Sequence, residues 1–292
     1  MFATRAAQPT ASVLSAGIQT RNMGTLREIQ IRLNSIKNIG KITKSMKMIA
    51  STKVSKAQRA MEQARIYGSS SASIYENAKT ASLETESHAF IVSSSDRGLC
   101  GGIHSSVAKA TRRLIDAEGS DAHSSVIVLG DKAKNQMSRT NRDDIQLSFN
   151  QIGKSIPTFA EASAAADTIF TSGVKFDNAT IIYNKFMSAI SYEATPLRNY
   201  SIESLKASEN FAAYELDDEV LQNYNEFLFA NNIYWALVEG HASEMSAKRT
   251  AMENATKNAG DMVDRLTMTY NRTRQAAITS ELVDIITGAS AL

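Results

Sequence analysis

The chain has 292 residues, of which 43% are hydrophobic and 21% are charged, and its formal net charge at pH 7 is +2. This length allows one substantial core plus extended elements, and no stretch approaches the roughly 18 consecutive apolar residues of a membrane-spanning helix. A single cysteine, Cys100, excludes an internal disulfide, and the four histidines follow no metal-ligand spacing. We therefore expect a soluble, non-secreted protein without a metal site.

The first 22 residues differ in composition from the rest. They contain Arg5 and Arg21 together with many Ser, Thr and small residues, and the first acidic residue of the chain is Glu28. This composition is typical of an organelle transit peptide. We predict a mitochondrial transit peptide at residues 1–22, with a disordered tail as the alternative.

Residues 23–80 predict a first long helix. No proline occurs between Thr25 and Lys79, and Thr25 with Glu28 fits the capping box that starts a helix. Apolar and small residues recur at helical spacing along one face: Ile29, Leu33, Ile36, Thr43, Met46, Ala50, Val54, Ala57, Met61 and Ala64. A single stripe along so long a helix predicts one half of a two-helix coiled coil.

This helix is also basic. Up to residue 68 the only acidic residues are Glu28 and Glu62, against twelve Lys and Arg. Nucleic-acid binding is one explanation. The lysines, however, flank the apolar stripe without interleaved aromatic residues: Lys37, Lys41, Lys44, Lys47, Lys53 and Lys56. A solvated or partner-facing basic helix is the favoured interpretation.

Residues 81–208 predict a central Rossmann-like α/β domain. Residues with β propensity at 88–93, 125–129, 145–149 and 180–184 alternate with helical patterns at 105–117 and 158–171. Such alternation favours a partly parallel sheet.

A glycine-rich turn at residues 95–102 follows the first predicted strand. It matches neither G-x-G-x-x-G nor G-x-x-x-x-G-K-[ST], so a tight strand-to-helix turn is favoured over a nucleotide site. Cys100 could be a nucleophile in principle, but no His or Asn/Asp motif accompanies it, and a small buried residue is favoured. The sequence predicts no catalytic constellation and no cofactor.

Residues 209–292 predict a second long helix, again without proline. Its stripe comprises Leu221, Tyr224, Leu228, Trp235, Val238, Ala242, Met245, Met252, Ala255, Ala259, Met262, Leu266, Tyr270, Thr273, Ala277, Leu282 and Ile285. The two helices should pair antiparallel, because the domain between them holds their near ends together. Equal rise per residue then leaves about 27 C-terminal residues without an intramolecular partner. Their apolar side chains require a cover from another protein.

Three segments carry a resemblance to a known family. Residues 42–50 (ITKSMKMIA), 95–102 (SDRGLCGG) and 270–282 (YNRTRQAAITSEL) resemble the gamma subunit of the rotary, F-type ATP synthase of mitochondria. Residues 244–252 and 286–290 extend the likeness, which covers nearly everything after residue 22. The resemblance implies an antiparallel coiled coil of the two terminal segments on a central Rossmann-like domain.

The resemblance also implies a function. The chain would be the central rotor shaft that couples proton-driven rotation of the c-ring to conformational cycling of the catalytic beta subunits, without catalytic residues, cofactor or metal of its own. Its partners would be the alpha3-beta3 hexamer, the delta and epsilon subunits of the central stalk and the c-ring, with one copy per complex and no nucleic acid. Its place would be the matrix side of the mitochondrial inner membrane, with membrane association only through the c-ring.

Residues matching the family motifs are expected to contact partners. In the second helix, polar contacts with a loop of the open beta subunit fall on Arg274, Gln275 and Thr279, with Glu281 nearby. An exposed solubilising charge is the alternative for Arg274.

In the first helix, Met46 resembles a position facing the acidic lever of a beta subunit, where Lys44 and Lys47 would supply complementary charge. Simple packing against the other helix is the alternative for Met46. The apolar tip, with Leu282, Ile285 and Ile286, would turn in an apolar bearing formed by the hexamer.

Two other classes of function remain open from the sequence. One is a Rossmann-like enzyme that uses the turn at residues 95–102. The other is a homodimeric coiled-coil tether, or a binder of nucleic acid through its basic helix.

Overall fold

The computed structural model describes residues 25–80, 87–118, 123–211, 214 and 217–291. The predicted transit peptide at residues 1–22 lies outside them. In chain order the elements are α1 (Leu26–Ala78), β1 (Ser87–Ser93), α2 (Ile103–Glu118), β2 (His123–Leu129), α3 (Asp131–Met137), β3 (Ile145–Phe149), α4 (Phe159–Thr171), β4 (Asn178–Phe186), β5 (Tyr192–Asn199), α5 (Ile202–Lys206) and α6 (Asp218–Ser290). None of the helices in the described part of the chain is both long and apolar enough to cross a membrane.

The chain divides into two compact units. The larger unit is Asn38–Gly260, and the smaller consists of Met1–Lys37 and Asp261–Leu292. The long helices α1 and α6 contribute residues to both units. The sheet and the short helices belong to the larger unit.

The sheet has the strand order β3-β2-β1-β4-β5. Strands β1 to β4 run parallel to one another, and β5 pairs antiparallel with β4. The four predicted strands are confirmed, whereas β5, α3 and α5 were not predicted. Strand β5 carries Pro196 and a polar sequence, which the edge of a sheet tolerates but which weakens the sequence signal for a strand.

Helices cover both faces of the sheet. On one face, α2 and α3 pack against Phe90, Val92, Val126, Val128 and Ile182. On the other face, α4 and α6 pack against Ala89, Ile91, Ile127, Leu129, Ala179, Ile181 and Tyr183. Burial of both faces explains the hydrophobic runs within β1, β2 and β4, whereas burial alternates along β3 at the edge of the sheet.

Within the larger unit, α6 is buried on two sides. Phe229, Ile233 and Leu237 face the sheet. Their neighbours Val238, Ala242 and Met245 contact α1 at Val54, Ala57, Met61 and Ala64. The middle of α6 is therefore a core helix shared by the α/β domain and the helix pair, which agrees with its burial around most of its circumference.

The pairing of α1 with α6 is antiparallel, as predicted. The Oγ1 atoms of Thr43 and Thr256 lie 2.9 Å apart, and the Tyr224 hydroxyl donates to the backbone oxygen of Ser71 at 3.0 Å. Between these points Arg65 pairs with Glu239. Residues further along α1 thus contact residues earlier in α6, which is the arrangement of an antiparallel pair.

In the smaller unit, the predicted capping box is present. The backbone nitrogen of Thr25 donates to Glu28 Oε2 at 3.0 Å, and that of Glu28 donates to Thr25 Oγ1 at 3.4 Å. Leu33 is buried. On α6, partial burial recurs at Val263, Leu266, Tyr270, Thr273 and Ala277.

Two expectations for α6 need correction. Met262, predicted to face inward, is 49% exposed, and Val263 takes the inward place after Ala259. The unpartnered end is also shorter than the expected length of about 27 residues, because burial continues to Ala277. The physical reason is that α6 begins at Asp218 instead of near residue 209, which shifts its pairing with α1.

Gly68 allows α1 to approach α6 closely. A Cβ atom at this position would lie 2.7 Å from Cε3 of Trp235. We expect Gly68→Ala to lower the free energy of unfolding by about 1–3 kcal/mol through overpacking, although alanine favours helices. Urea denaturation measures this change.

Gly40→Ala is the matched control on the same helix. Its Cβ atom would lie 3.5 Å from the Cβ of Ala259, an ordinary contact, so this variant should be neutral or stabilising. Equal effects of the two substitutions would contradict the steric explanation.

Candidate partner-binding surfaces

The polar residues carried over to α6 are on its surface. Arg274, Gln275, Thr279 and Glu281 are all exposed. The Thr279 hydroxyl donates to the backbone oxygen of Gln275 at 2.9 Å. An exposed guanidinium provides five N–H donors in a planar fork suited to carboxylates.

The C-terminal end of α6 exposes apolar side chains. Every residue from Ile278 to residue 291 is exposed. The exposed fraction is 56% for Leu282, 71% for Ile285 and 57% for Ile286. Clustered apolar exposure on one helical segment marks a surface that another molecule covers.

The structure separates Met46 from the lysines expected beside it. Met46 lines a groove of about 690 Å³, here called the basic groove, between α1, α6 and the loop after β3. Lys44 and Lys47 line a second groove of about 720 Å³, on another flank of α1. Lys47 Nζ is 2.7 Å from Glu253 Oε1, so part of its charge is already compensated.

Other cations surround Met46. The lining residues of the basic groove include no carboxylate. They include five lysine and arginine side chains: Lys53, Lys56, Arg97, Lys154 and Lys248. Ile49, Ala50 and Met245 add apolar surface to the same groove. A cationic rim around an apolar floor is suited to an acidic, amphipathic protein segment.

The turn after β1 contains an interaction that the sequence analysis missed. His104, in the first turn of α2, follows Cys100 of the preceding turn by four residues. Its Nε2 lies 3.1 Å from Cys100 Sγ, and its Nδ1 lies 3.1 Å from Ser94 Oγ. The i, i+4 spacing was the signal that could have revealed this pair.

This Cys–His pair is not arranged as a nucleophile. Cys100 is 1% exposed, and burial raises the pKa of its thiol to about 11. Burial also lowers the pKa of His104. Both groups are therefore neutral near pH 7, and the predicted small buried role of Cys100 is confirmed.

The crevice where Rossmann-like domains bind ligands is closed by α6. Such ligands bind outside the carboxyl ends of the strands at the switch point of strand order, here between β1 and β4. At that place Gly240, His241 and Glu244 of α6 leave a cavity of only about 20 Å³. Ligand pockets are typically about 300–1,000 Å³, so a nucleotide does not fit.

Glu244 is the most perturbed carboxyl group in this crevice. It is 3% exposed, and burial raises its pKa to about 7, although a hydrogen bond from Ser95 and the charges of Lys248 and Arg97 oppose the shift. Asp96 adds to the increase. In the described part of the chain, no group of three or more His, Cys, Asp or Glu side chains could hold a metal ion.

These features define a class of protein. Two long antiparallel helices carry exposed polar and apolar surfaces, and the ligand crevice of the attached α/β domain is filled by one of the helices. Such a protein acts through its contacts with other chains.

Comparisons with known proteins identify the family. A sequence model described as ATP synthase matches residues 25–292. The mitochondrial ATP synthase gamma subunit of Yarrowia lipolytica is 49% identical, with 100% of both chains covered. The gamma subunit of the F(1) complex of Rattus norvegicus mitochondria is 48% identical over 92% of this chain and 99% of its own. The chain belongs to the gamma subunit family of the mitochondrial ATP synthase, whose role is that of the central rotor.

Solved structures agree with this fold. A chain from the Euglena gracilis mitochondrial ATP synthase, in its OSCP/F1/c-ring assembly, superposes with a TM-score of 0.75 over 92% of this chain and 94% of its own; at 22% identity this shows the fold alone. A chain of the central stalk and c-ring of Tetrahymena thermophila ATP synthase gives a TM-score of 0.62 at 28% identity, over 73% of this chain and 99% of its own.

The raised pKa of Glu244 predicts a pH-dependent stability. A carboxyl group with a higher pKa in the folded state stabilises the fold most below its ordinary pKa of 4.5, and this stabilisation is lost as the pH rises towards about 7. We expect Glu244→Gln to become more stable relative to the unsubstituted chain across this range, by on the order of 3 kcal/mol. Urea denaturation at a series of pH values measures the difference.

Comparing Glu244→Gln with the unsubstituted chain removes the contribution of His241 to the pH dependence of stability. Burial and the nearby lysines Lys53 and Lys248 lower the pKa of His241 to about 4. Its effect therefore has the opposite sign, with stability rising from pH 4 to 6.5, but it is present in both chains. A pH-independent difference between them would show that Glu244 is charged throughout this range.

Proposed function

We propose that this chain is a non-catalytic subunit that forms the rotor shaft. It would be present once per ATP synthase and enclosed by the alpha3-beta3 hexamer. The α/β domain would contact the delta and epsilon subunits and the c-ring, which places the chain peripherally on the matrix side of the mitochondrial inner membrane. The observation that carries this proposal is the family match over residues 25–292. The closed crevice of the α/β domain supports catalysis on other subunits.

The apolar end of α6 fits a bearing inside the hexamer. Leu282, Ile285 and Ile286 are more than half exposed, and a chain present alone would be prone to associate through them. Apolar contacts are non-directional. A bearing built from them resists rotation less than one built from directional hydrogen bonds.

The polar residues just before this end suit an angle-dependent contact. Arg274 and Gln275 are exposed on α6, where their N–H groups can donate to a loop of the open beta subunit. Thr279 and Glu281 lie one to two turns further along the same helix. These hydrogen bonds would form at one rotor angle and break at another.

The basic groove suits the acidic lever of a beta subunit. Met46 provides part of its apolar floor, and the five cations of the groove provide complementary charge. Lys44 and Lys47 present positive charge on the other flank of α1. An acidic segment would therefore meet a cationic surface on either side of α1 as the shaft turns.

Rotation would couple to catalysis through differential contacts. Three equivalent beta subunits around a single chain necessarily contact different faces of it. A contact that is more favourable with the open than with the closed beta subunit biases nucleotide affinity, and nucleotide binding biases the rotor angle reciprocally.

Native mass spectrometry tests the proposed assembly. The tagged chain would be purified from its organelle, and the eluate assayed for ATPase activity. We expect one copy together with three pairs of larger ATPase subunits. A lone monomer without ATPase activity, or a homodimer, would contradict the proposal, and the homodimer would favour the tether hypothesis.

The contact at Arg274 is tested by Arg274→Ala in the assembled complex. Loss of a charge-assisted hydrogen bond of about 1.5 kcal/mol from the limiting step corresponds to roughly a tenfold lower turnover. Steady-state ATP hydrolysis at saturating substrate measures it.

Arg272→Ala is the matched control. Arg272 is also exposed, and it lies two residues away on a different side of α6. Its replacement should leave turnover nearly unchanged. If both variants behave alike, Arg274 is a solubilising charge and not a specific contact.

A further inference from the structure

A small polar cavity joins three parts of the α/β domain. It lies between the carboxyl ends of β1 and β4 and the middle of α6, and it measures about 20 Å³. A single water molecule needs roughly 10–15 Å³. Its lining includes serine, histidine, asparagine and glutamate side chains: Ser93, Ser94, Ser95, His104, Asn184, His241 and Glu244.

Three buried polar atoms of this lining have no hydrogen-bond partner among the protein groups of the described residues. They are Glu244 Oε1, His241 Nδ1 and Asn184 Oδ1. The exposed fraction is 3% for Glu244, 7% for His241 and 4% for Asn184. Leaving a buried polar group without a partner costs about 1–3 kcal/mol, so three such atoms around one cavity require a common explanation.

The orientation of Asn184 is fixed by its other contacts. Its Nδ2 donates to the backbone oxygen of Ile103 at 3.1 Å. Its backbone oxygen accepts a hydrogen bond from Ser243 Oγ at 2.8 Å. The side-chain oxygen therefore remains as an acceptor towards the cavity, together with Glu244 Oε1.

We propose that this cavity binds one structural water molecule. The water donates its two hydrogens to Glu244 Oε1 and Asn184 Oδ1 and accepts a hydrogen bond from the Nδ1–H group of His241. Two acceptors and one donor thus match the hydrogen-bonding capacity of a single water. The site links α6 to β4.

The surrounding charges favour a neutral occupant. Lys248 acts on both Glu244 and His241, Arg97 acts on Glu244, and Lys53 acts on His241. Their positive charge disfavours a metal cation, whereas the Glu244 carboxyl group, with Asp96 nearby, disfavours an anion. This inference is independent of the rotor proposal, because it concerns only the interior of the α/β domain.

A high-resolution map of the complete complex containing this chain tests the site directly. We expect a density peak within hydrogen-bond distance of Glu244 Oε1, Asn184 Oδ1 and His241 Nδ1. An empty cavity, in a map that shows other buried waters, would overturn the proposal.

Gly240→Ala provides a second test, because Gly240 lines the cavity. Its Cβ atom would meet only Ser93 Oγ, at an ordinary 3.6 Å, so the methyl group fits. Because Gly240 lines the cavity, we expect the methyl group to take up space that the water needs. Gly260→Ala is the control on the same helix, with no neighbour within 4 Å of the added Cβ. Both variants gain the same helix propensity.

We expect hydrogen exchange of the complex, followed by mass spectrometry, to separate the two variants. Gly240→Ala should accelerate exchange in peptides covering residues 181–186 and 238–246 and should abolish the density peak. Gly260→Ala should leave those peptides unchanged. Slower or unchanged exchange in Gly240→Ala would mean that the methyl group fills an empty cavity, which would overturn the proposal.

Discussion

The packing of α6 on two sides is the constraint on which the larger unit depends. Phe229 and Ile233 belong to the core under the sheet, whereas Ala242 and Met245 belong to the contact with α1. Because one helix serves both cores, neither can rearrange without the other. Packed interiors are dense and transmit displacement, so a force on the helix pair reaches the sheet through α6.

A buried polar network fixes the position of α6 in this arrangement. The Glu239 carboxylate, 0% exposed, accepts hydrogen bonds from the Trp235 indole at 2.7 Å and from the backbone nitrogen of Phe186 at 3.2 Å, and it pairs with Arg65. These partners come from α6 itself, the end of β4 and α1. Apolar contacts alone would allow sliding along the helix pair, whereas a satisfied buried carboxylate strongly favours one register.

The same burial accounts for the character of the α/β domain. Its sheet has the strand order that elsewhere creates a ligand crevice, but His241 and Glu244 fill that place. The α/β domain thus encloses the titratable groups near this place, and the Cys100 thiol and the His104 and His241 imidazoles are buried and neutral near pH 7. The surfaces open to other molecules include the basic groove and the exposed end of α6. This division suits a rotor, whose effect on its neighbours depends on contact and orientation.

The sequence by itself determined the two long helices and the four strands of a partly parallel sheet, because these follow from local periodicity, the alternation of elements and the absence of proline. It determined the antiparallel pairing of the helices because the domain between them holds their near ends together. It also determined the family, through motifs at residues 42–50, 95–102 and 270–282. Tertiary structure decided what periodicity cannot encode. The start of α6 at Asp218 set the register, and the edge strand β5 depends on pairing with β4 in spite of Pro196.

Contacts between residues distant in the chain were likewise invisible in the sequence. Met46 and Lys47 are neighbours in sequence, yet they line different grooves, because adjacent residues of a helix point about 100° apart. The cations beside Met46 come instead from four separate parts of the chain, namely α1, the loop after β1, the loop after β3 and α6. The cavity at Glu244 likewise requires β1, β4 and α6 to be assembled, since burial and the loss of hydrogen-bond partners exist only in the folded chain.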